Sequence, residues 1–210
     1  MKRMAVVIDY QNVHMTAGNV FMRGRPREES LISPLKFGER LAYIKNESLK
    51  EAEKVELRHV EVFRGLPLPE DPNGGYIRNV AQRESWENES NGIVTVTLRP
   101  LKYDIAGHGS RSKPVWGTAR EKGVDVLCAL ALCRLARSGE YDVVVLASRD
   151  TDLAPAIDEA CSYGTAKIEA VKWYSPEVGW TRGSLKTRQR IWTTSMKEED
   201  FRACLDTRAY

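Results

Sequence analysis

Two short apolar runs, each followed by acidic residues, constrain the fold of this 210-residue chain more than any other feature. The first is Met4–Ile8, which ends at Asp9, and the second is Val143–Ala147, which leads into the segment Ser148–Asp152. Continuous β-branched runs of this length are typical of central strands in a parallel sheet. Because such strands present their carboxyl ends at one edge of the sheet, the two runs predict one acidic site there.

Strands and helices are predicted to alternate along the rest of the chain. Besides 4–9, strands are expected at 54–63, 93–98, 142–147 and 167–173, with a short extended piece at 191–194. Helices are expected at about 34–46, 76–90, 153–163 and 197–205. The alternation predicts an α/β fold with a mostly parallel sheet.

Another helix is predicted from Thr118 onwards, because Thr118 and Glu121 have the spacing of a capping box. In that motif the hydroxyl of the first residue accepts a backbone N–H of the first turn. The carboxylate three residues later accepts the backbone N–H of that first residue. An apolar stripe that includes Val124, Leu127 and Cys128 would face the core, and Asp125 would lie beside it in an early turn.

Segments rich in glycine, proline and charge interrupt the pattern. Residues 14–33 are predicted to be a loop or mobile insertion, and residues 65–76 a second loop. Residues 175–210 are expected to form a C-terminal extension that starts with a basic loop. From the length of the chain, we predict a single domain spanning residues 1–210.

Composition excludes few functions. The net charge of +3, from 32 Lys and Arg against 29 Asp and Glu, is too small to indicate nucleic acid by itself. No apolar run has the length of a secretory signal or a membrane span, so no membrane partner is expected. The four cysteines form no C-x-x-C pair, which predicts buried free thiols and a cytoplasmic location. They are Cys128, Cys133, Cys161 and Cys204.

The acidic residues indicate divalent-metal chemistry. Asp9, Asp150 and Asp152 follow predicted strands, and Asp125 could be a fourth acid of the same site. Carboxylates held close together repel one another unless a cation lies between them. Oxygen ligands of this kind suit Mg²⁺ or Mn²⁺, which can activate water against a phosphodiester. Taken singly, each acid has a structural alternative as a helix cap, turn residue or surface charge.

Three segments resemble the motifs of the NYN domain, a family of the PIN-like (5′-nuclease-like) superfamily. They are Val7–Asn12, Arg120–Val126 and Ser148–Pro155, and they occur in the family's order. The resemblance implies a three-layer α/β/α PIN-like fold with a mostly parallel central sheet. It also implies a divalent-metal-dependent ribonuclease that uses Mg²⁺ or Mn²⁺. The acids that would be both catalytic and metal-binding are Asp9, Asp125, Asp150 and Asp152.

The same resemblance gives the site its polar and basic positions. Asn12 and Ser148 would orient a ligand, water or substrate oxygen, and Lys122 is the basic residue before the helix acid. Two departures from the family pattern concern Arg149, where relatives often have glycine, and the stretch 129–131, where many relatives carry a further acid. These departures favour an alternative, a catalytically weak or inactive RNA-binding or regulatory module.

If RNA is the substrate, basic residues should flank the acids. The candidates for contact with phosphate are Arg111, Lys113, Arg120, Lys122 and Arg149. A second patch, residues 182–190 with Trp180 and Trp192, could hold phosphate and stack a base, although solvated surface charge is the alternative. That alternative is favoured for the trio Arg23, Arg25 and Arg27.

Some roles stay open from the sequence. His14 and the other two histidines, His59 and His108, are scattered, and a supporting or surface position is favoured over a general base. A haloacid-type phosphatase would need an acid at position 11, where the chain has Gln11. A homo-oligomer and a protein regulator are both compatible with the sequence.

Overall fold

The computed structural model describes residues 1–107 and 112–210. His108, one of the scattered histidines, and Arg111, a candidate for contact with phosphate, lie outside the described residues. The described strands are β1 Lys2–Asp9, β2 Val55–Leu66, β3 Val94–Pro100, β4 Ile105–Ala106, β5 Lys113–Pro114, β6 Val143–Ala147, β7 Lys167–Trp173 and β8 Trp192–Met196. The described α-helices are α1 Tyr10–Phe21, α2 Pro34–Glu47, α3 Gly75–Glu89, α4 Val124–Arg137, α5 Ala154–Ser162 and α6 Glu198–Cys204.

Six strands form the central sheet in the order β3-β2-β1-β6-β7-β8, and each neighbouring pair is parallel. β4 and β5 form a separate antiparallel pair. The central strand β1 is buried on both faces. Met4, Val6 and Ile8 pack in a core with α1, α2, α3 and α6, and Ala5 and Val7 pack in a second core with α4 and α5. The predicted three-layer α/β/α fold with a mostly parallel sheet is confirmed.

The helix that follows the first strand was not predicted from the sequence pattern. Residues 14–21 were expected to be loop, but they belong to α1, which begins directly after β1. Val13, Ala17 and Val20 are buried at helical spacing, so their packing against the sheet outweighs the helix-weakening effect of Gly18. The loop prediction is therefore wrong for residues 14–21, and a short 3₁₀ helix, Arg27–Ser30, lies within the remainder.

The capping box predicted at Thr118 is also wrong. The Thr118 hydroxyl donates to the carbonyl of Val115 at 2.7 Å, and α4 begins only at Val124. Gly123 has a φ of +80°, a left-handed conformation that suits glycine and turns the chain into α4. Glu121 therefore lies before the helix, and its carboxylate accepts a hydrogen bond from the backbone N–H of Gly65 at 2.6 Å.

Other helix and strand ends follow the sequence pattern more closely. Ser33 caps α2, with Pro34 in the first turn as expected. The loop predicted at 65–76 is shorter at both ends, because β2 reaches Leu66 and α3 begins at Gly75.

Within the C-terminal extension, β8 pairs with β7, and Phe201 of α6 is buried in the core. The division into one domain with this extension stays a prediction.

The cysteines are all free: Cys128 and Cys204 are buried, and Cys133 and Cys161 are partly buried. None of the helices described above has the length and apolar character that crossing a bilayer requires.

Candidate acidic site

The site lies where the strand order of the sheet changes direction. β2 and β3 extend the sheet on one side of β1, and β6, β7 and β8 extend it on the other. Ligands of open parallel sheets bind outside the carboxyl ends of the strands at such a point. Asp9 ends β1 and Ser148 follows β6, and the Ser148 hydroxyl donates to Oδ2 of Asp9 at 2.9 Å.

Asp9 has both a capping role and a place in the site. Its other oxygen, Oδ1, accepts the backbone N–H of Asn12 at 3.2 Å and so caps α1. The side chain is buried, with 6% of its surface exposed. Burial raises the pKa of Asp9, and the negative charges of Asp150 and Asp125 raise it further. The structural alternative and the site role therefore coexist in one residue.

Ser148 and Asn12 fix the segment that follows β6. The Asn12 side-chain oxygen accepts the backbone N–H of Arg149 at 2.9 Å, and the Ser148 hydroxyl accepts that of Asp150 at 3.1 Å. Asp150 in turn accepts the backbone N–H of Asp152 at 2.9 Å and caps the short 3₁₀ helix Thr151–Leu153. The residue that caps this turn is thus Asp150 and not Asp152.

The predicted acids differ in how they are placed. Asp125 lies in the first turn of α4 and is partly buried, as is Asp150, and both are near enough for their charges to act on Asp9. Asp152 is exposed on the 3₁₀ helix and is absent from the charges that shift the pKa of Asp9.

Glu121 is an acid of this region that the sequence pattern did not reveal. Burial raises the pKa of Glu121 to about 7, and the charges of Asp9 and Asp125 also raise it, against the hydrogen bond from Gly65. The available signal was its position four residues before Asp125, which the capping-box interpretation assigned to helix initiation instead. A carboxyl with a pKa near neutrality beside other acids is a frequent mark of a functional site.

The acidic side chains are of the type that binds a divalent cation, but they are not grouped around one position. Among residues 1–107 and 112–210, no three acidic, histidine or cysteine side chains are grouped closely enough to hold a metal ion. The available donors are nevertheless carboxylate oxygens, which Mg²⁺ and Mn²⁺ prefer. Burial and then repulsion by neighbouring acids raise the pKa values of Asp9 and Glu121, and a bound cation would relieve that repulsion. Because Asp125 and Asp150 are only partly buried, their carboxylates have room to turn toward an ion.

The predicted basic residues near the acids are directed elsewhere. The Arg149 guanidinium donates to the carbonyl of Trp180 at 2.7 Å and lies 5.2 Å from the centre of its ring. Arg120 forms an exposed ion pair with Asp104 at 2.7 Å. Lys122 is exposed, and its carbonyl accepts a hydrogen bond from Arg99. Contact of these three side chains with RNA phosphate stays a prediction.

The candidate residues further from the acids differ in exposure and in their hydrogen bonds. Trp180 and Trp192 are exposed, and Arg182 donates to the carbonyl of Pro176. His14 is buried, and burial lowers its pKa to about 4. Its Nε2 lies 2.9 Å from the carbonyl of Arg27, so this ring ties α1 to the loop that follows it.

Comparison with known proteins agrees with this architecture. The family model described as the NYN domain matches residues 3–172, which include all three motif segments. No curated protein matches the chain. Among solved structures, a protein of unknown function from Vibrio parahaemolyticus has a TM-score of 0.49 and 16% sequence identity, over 94% of each chain.

Proposed function

The chain is a member of the NYN domain family, which has a PIN-like, nuclease-like fold, and we propose that it is a divalent-metal-dependent ribonuclease that hydrolyses RNA phosphodiester bonds. The observation that carries the proposal is the hydrogen bond between Asp9 and Ser148 at the switch point of the sheet. The negative charges of Asp125 and Asp150 both raise the pKa of the buried Asp9 carboxylate.

The metal would be Mg²⁺ or Mn²⁺. Asp9, Asp125 and Asp150 would hold it, and the exposed Asp152 would join from the rim of the site. When bound, such an ion supplies water activation and neutralises charge on a phosphodiester. Asn12 and Ser148 would keep the carboxylates of the two strand ends in place, because Ser148 donates to Asp9 at the end of β1 and Asn12, in the first turn of α1, accepts the N–H of Arg149.

The decisive experiment measures cleavage of a fluorescent single-stranded RNA with Mn²⁺ and with EDTA. We expect Asp9→Asn and Asp150→Asn each to lower the Mn²⁺-dependent rate by more than roughly 100-fold, because each replaces a charged oxygen donor. Asparagine can still cap a helix, so both variants should stay folded. Glu177→Gln, at an exposed glutamate in the loop after β7, is the control for removal of an acidic charge. Equal rates in all four proteins would refute the site.

A second candidate is an RNA-binding module without cleavage. It is favoured by the absence, among the described residues, of three side chains already grouped for a metal. It predicts that RNA shifts in a native gel equally with Mn²⁺ and with EDTA, while no product forms in either. RNA is the partner in both proposals, and the cytoplasmic location stays a prediction from cysteine usage.

A further inference from the structure

A cleft of about 580 Å³ opens beside the acidic site. Gln11, two residues after Asp9, lines it, as do side chains from β2, α3 and the loop after α1. Its lining includes the four arginines Arg27, Arg64, Arg78 and Arg208. Among the residues that line it, Glu28 is the one acid. The cleft is therefore strongly cationic, next to a site that is strongly anionic.

Arg64 is the central cation of this cleft. Its guanidinium lies 4.8 Å from the centre of the Tyr10 ring and 5.8 Å from that of Trp86, and it donates to the side-chain oxygen of Gln82. Burial lowers the pKa of Arg64. In the described part of the chain, no carboxylate lies within ion-pair distance of it. Because a buried cation is costly without a counter-charge, this position suits an incoming anion.

Arg78 adds a second positive charge to the same place. It lies on α3, is partly buried, and also has no ion-pair partner within the described residues. Its charge contributes to the lowered pKa of Arg64, so the two guanidinium groups repel each other. Arg208, in contrast, is compensated by Asp206 at 2.7 Å and by Glu89. Within the described residues, the cations of the cleft without a direct ion pair are thus Arg64 and Arg78, with Arg27 at its exposed edge.

We propose that Arg64 and Arg78 form a phosphate subsite, which binds a phosphate group of single-stranded RNA next to the phosphodiester held at the acidic site. The cleft adjoins the acidic site, because Glu121 accepts the backbone N–H of Gly65, the residue after Arg64, at 2.6 Å, and Asp9 pairs with Phe63, the residue before Arg64, across the sheet. A guanidinium is suited to phosphate because its planar N–H groups match two phosphate oxygens. The identity of the ligand as RNA rests on the proposed function, but the subsite itself rests on the arginines.

The test measures binding without cleavage, by fluorescence anisotropy of a single-stranded RNA in EDTA at several salt concentrations. For a single strand, loss of one phosphate contact lowers the slope of log affinity against log salt by about 0.7. We expect Arg78→Met to reduce the slope by this amount and to weaken binding roughly 5-fold or more. Arg83→Met is the matched control on the same helix, because Arg83 is partnered by Glu84.

Arg64→Met and Arg64→Lys complete the design. Methionine keeps an apolar stem against Tyr10 and should lower the salt slope as Arg78→Met does. Lysine keeps the charge and should recover most of the slope, with weaker binding because it lacks the guanidinium geometry. Urea denaturation of each variant establishes that a binding change is not a loss of fold. If both methionine variants bind with the affinity and slope of Arg83→Met, the subsite is refuted.

The phosphate could be internal or terminal, and RNAs with 5′-hydroxyl and 5′-phosphate ends distinguish the two. Equal losses with both RNAs assign the subsite to a backbone phosphodiester, and a loss confined to the 5′-phosphorylated RNA assigns it to the terminal group. Failure of the ribonuclease proposal would be separate, because it would show as absent cleavage by wild type in Mn²⁺. Cleavage that needs Asp9, together with unchanged binding by the Arg64 and Arg78 variants, would refute the subsite alone.

Discussion

Replacement of Glu121 by glutamine should make the metal-free protein more stable at alkaline pH. Glu121 is partly buried beside Asp9 and Asp125, and its pKa is raised from 4.5 to about 7. The folded state therefore holds a proton more tightly than the unfolded state does. The stability of the wild type must then fall as the pH rises from 4.5 to about 7, and stay low above it.

The size of the effect follows from the pKa values. One pKa unit corresponds to about 1.4 kcal/mol, so a rise from 4.5 to about 7 gives an upper value of roughly 3.5 kcal/mol. Because the side chain is partly exposed, solvent screening reduces this, and we expect about 1–3 kcal/mol. Glutamine carries no charge to repel Asp9, and its amide oxygen can still accept the N–H of Gly65.

Urea denaturation at pH 4 and pH 8, with EDTA present, measures the difference. We expect Glu121→Gln to equal the wild type at pH 4 and to exceed it at pH 8. Glu177→Gln, at an exposed glutamate of the loop after β7, should match the wild type at both values. A Glu121→Gln protein no more stable than the wild type at pH 8, or a gain of equal size at both pH values, would refute the repulsion.

Two further predictions concern buried acids outside the site. Lys45→Met should cost about 3 kcal/mol in urea denaturation, because it leaves the buried Glu169 with only the exposed Lys167 as partner; an unchanged midpoint would contradict this. Burial opposes ionisation of Asp206, but hydrogen bonds from Arg208 and Trp86 lower its pKa from 3.8 to about 2. Asp206→Asn should therefore cost about 2 kcal/mol at pH 7, and the loss should shrink as the pH falls from 3.8 toward 2. A loss that is the same at pH 3 and pH 7 would argue against this linkage.

The sequence predicts the sheet well because its strands are rich in apolar and β-branched residues. Val143–Ala147 and Lys167–Trp173 lie where the pattern places them, since turn residues bound each run. The helix after β1 was missed because its stabilisation comes from packing of Val13 and Ala17 on the sheet, which a glycine at position 18 conceals in the linear pattern. Tertiary contact here outweighs local propensity.

The side chains of the site are harder to predict than its backbone. Asp9 and Ser148 could be paired because each follows a strand of one parallel sheet. The orientation of the Arg149 side chain could not be predicted, since it depends on Trp180, which lies 31 residues later in the chain. Arg64 was missed for a similar reason, because Tyr10 and Trp86, which enclose it, come from two different helices. Contacts between distant elements carry this information, and no local pattern records them.

The hydrogen bond from Ser148 to Asp9 joins residues 139 positions apart. During synthesis, β1 emerges well before β6, its partner on one side, which follows more than 130 residues later in the chain. The central strand β1 must therefore wait with only β2 available beside it, and non-local pairings of this kind slow folding and leave strand edges exposed to aggregation. Because its halves come from the end of β1 and the segment after β6, the acidic site forms only when these two strands pair, and a nascent chain that ends before β6 lacks the bond between Ser148 and Asp9.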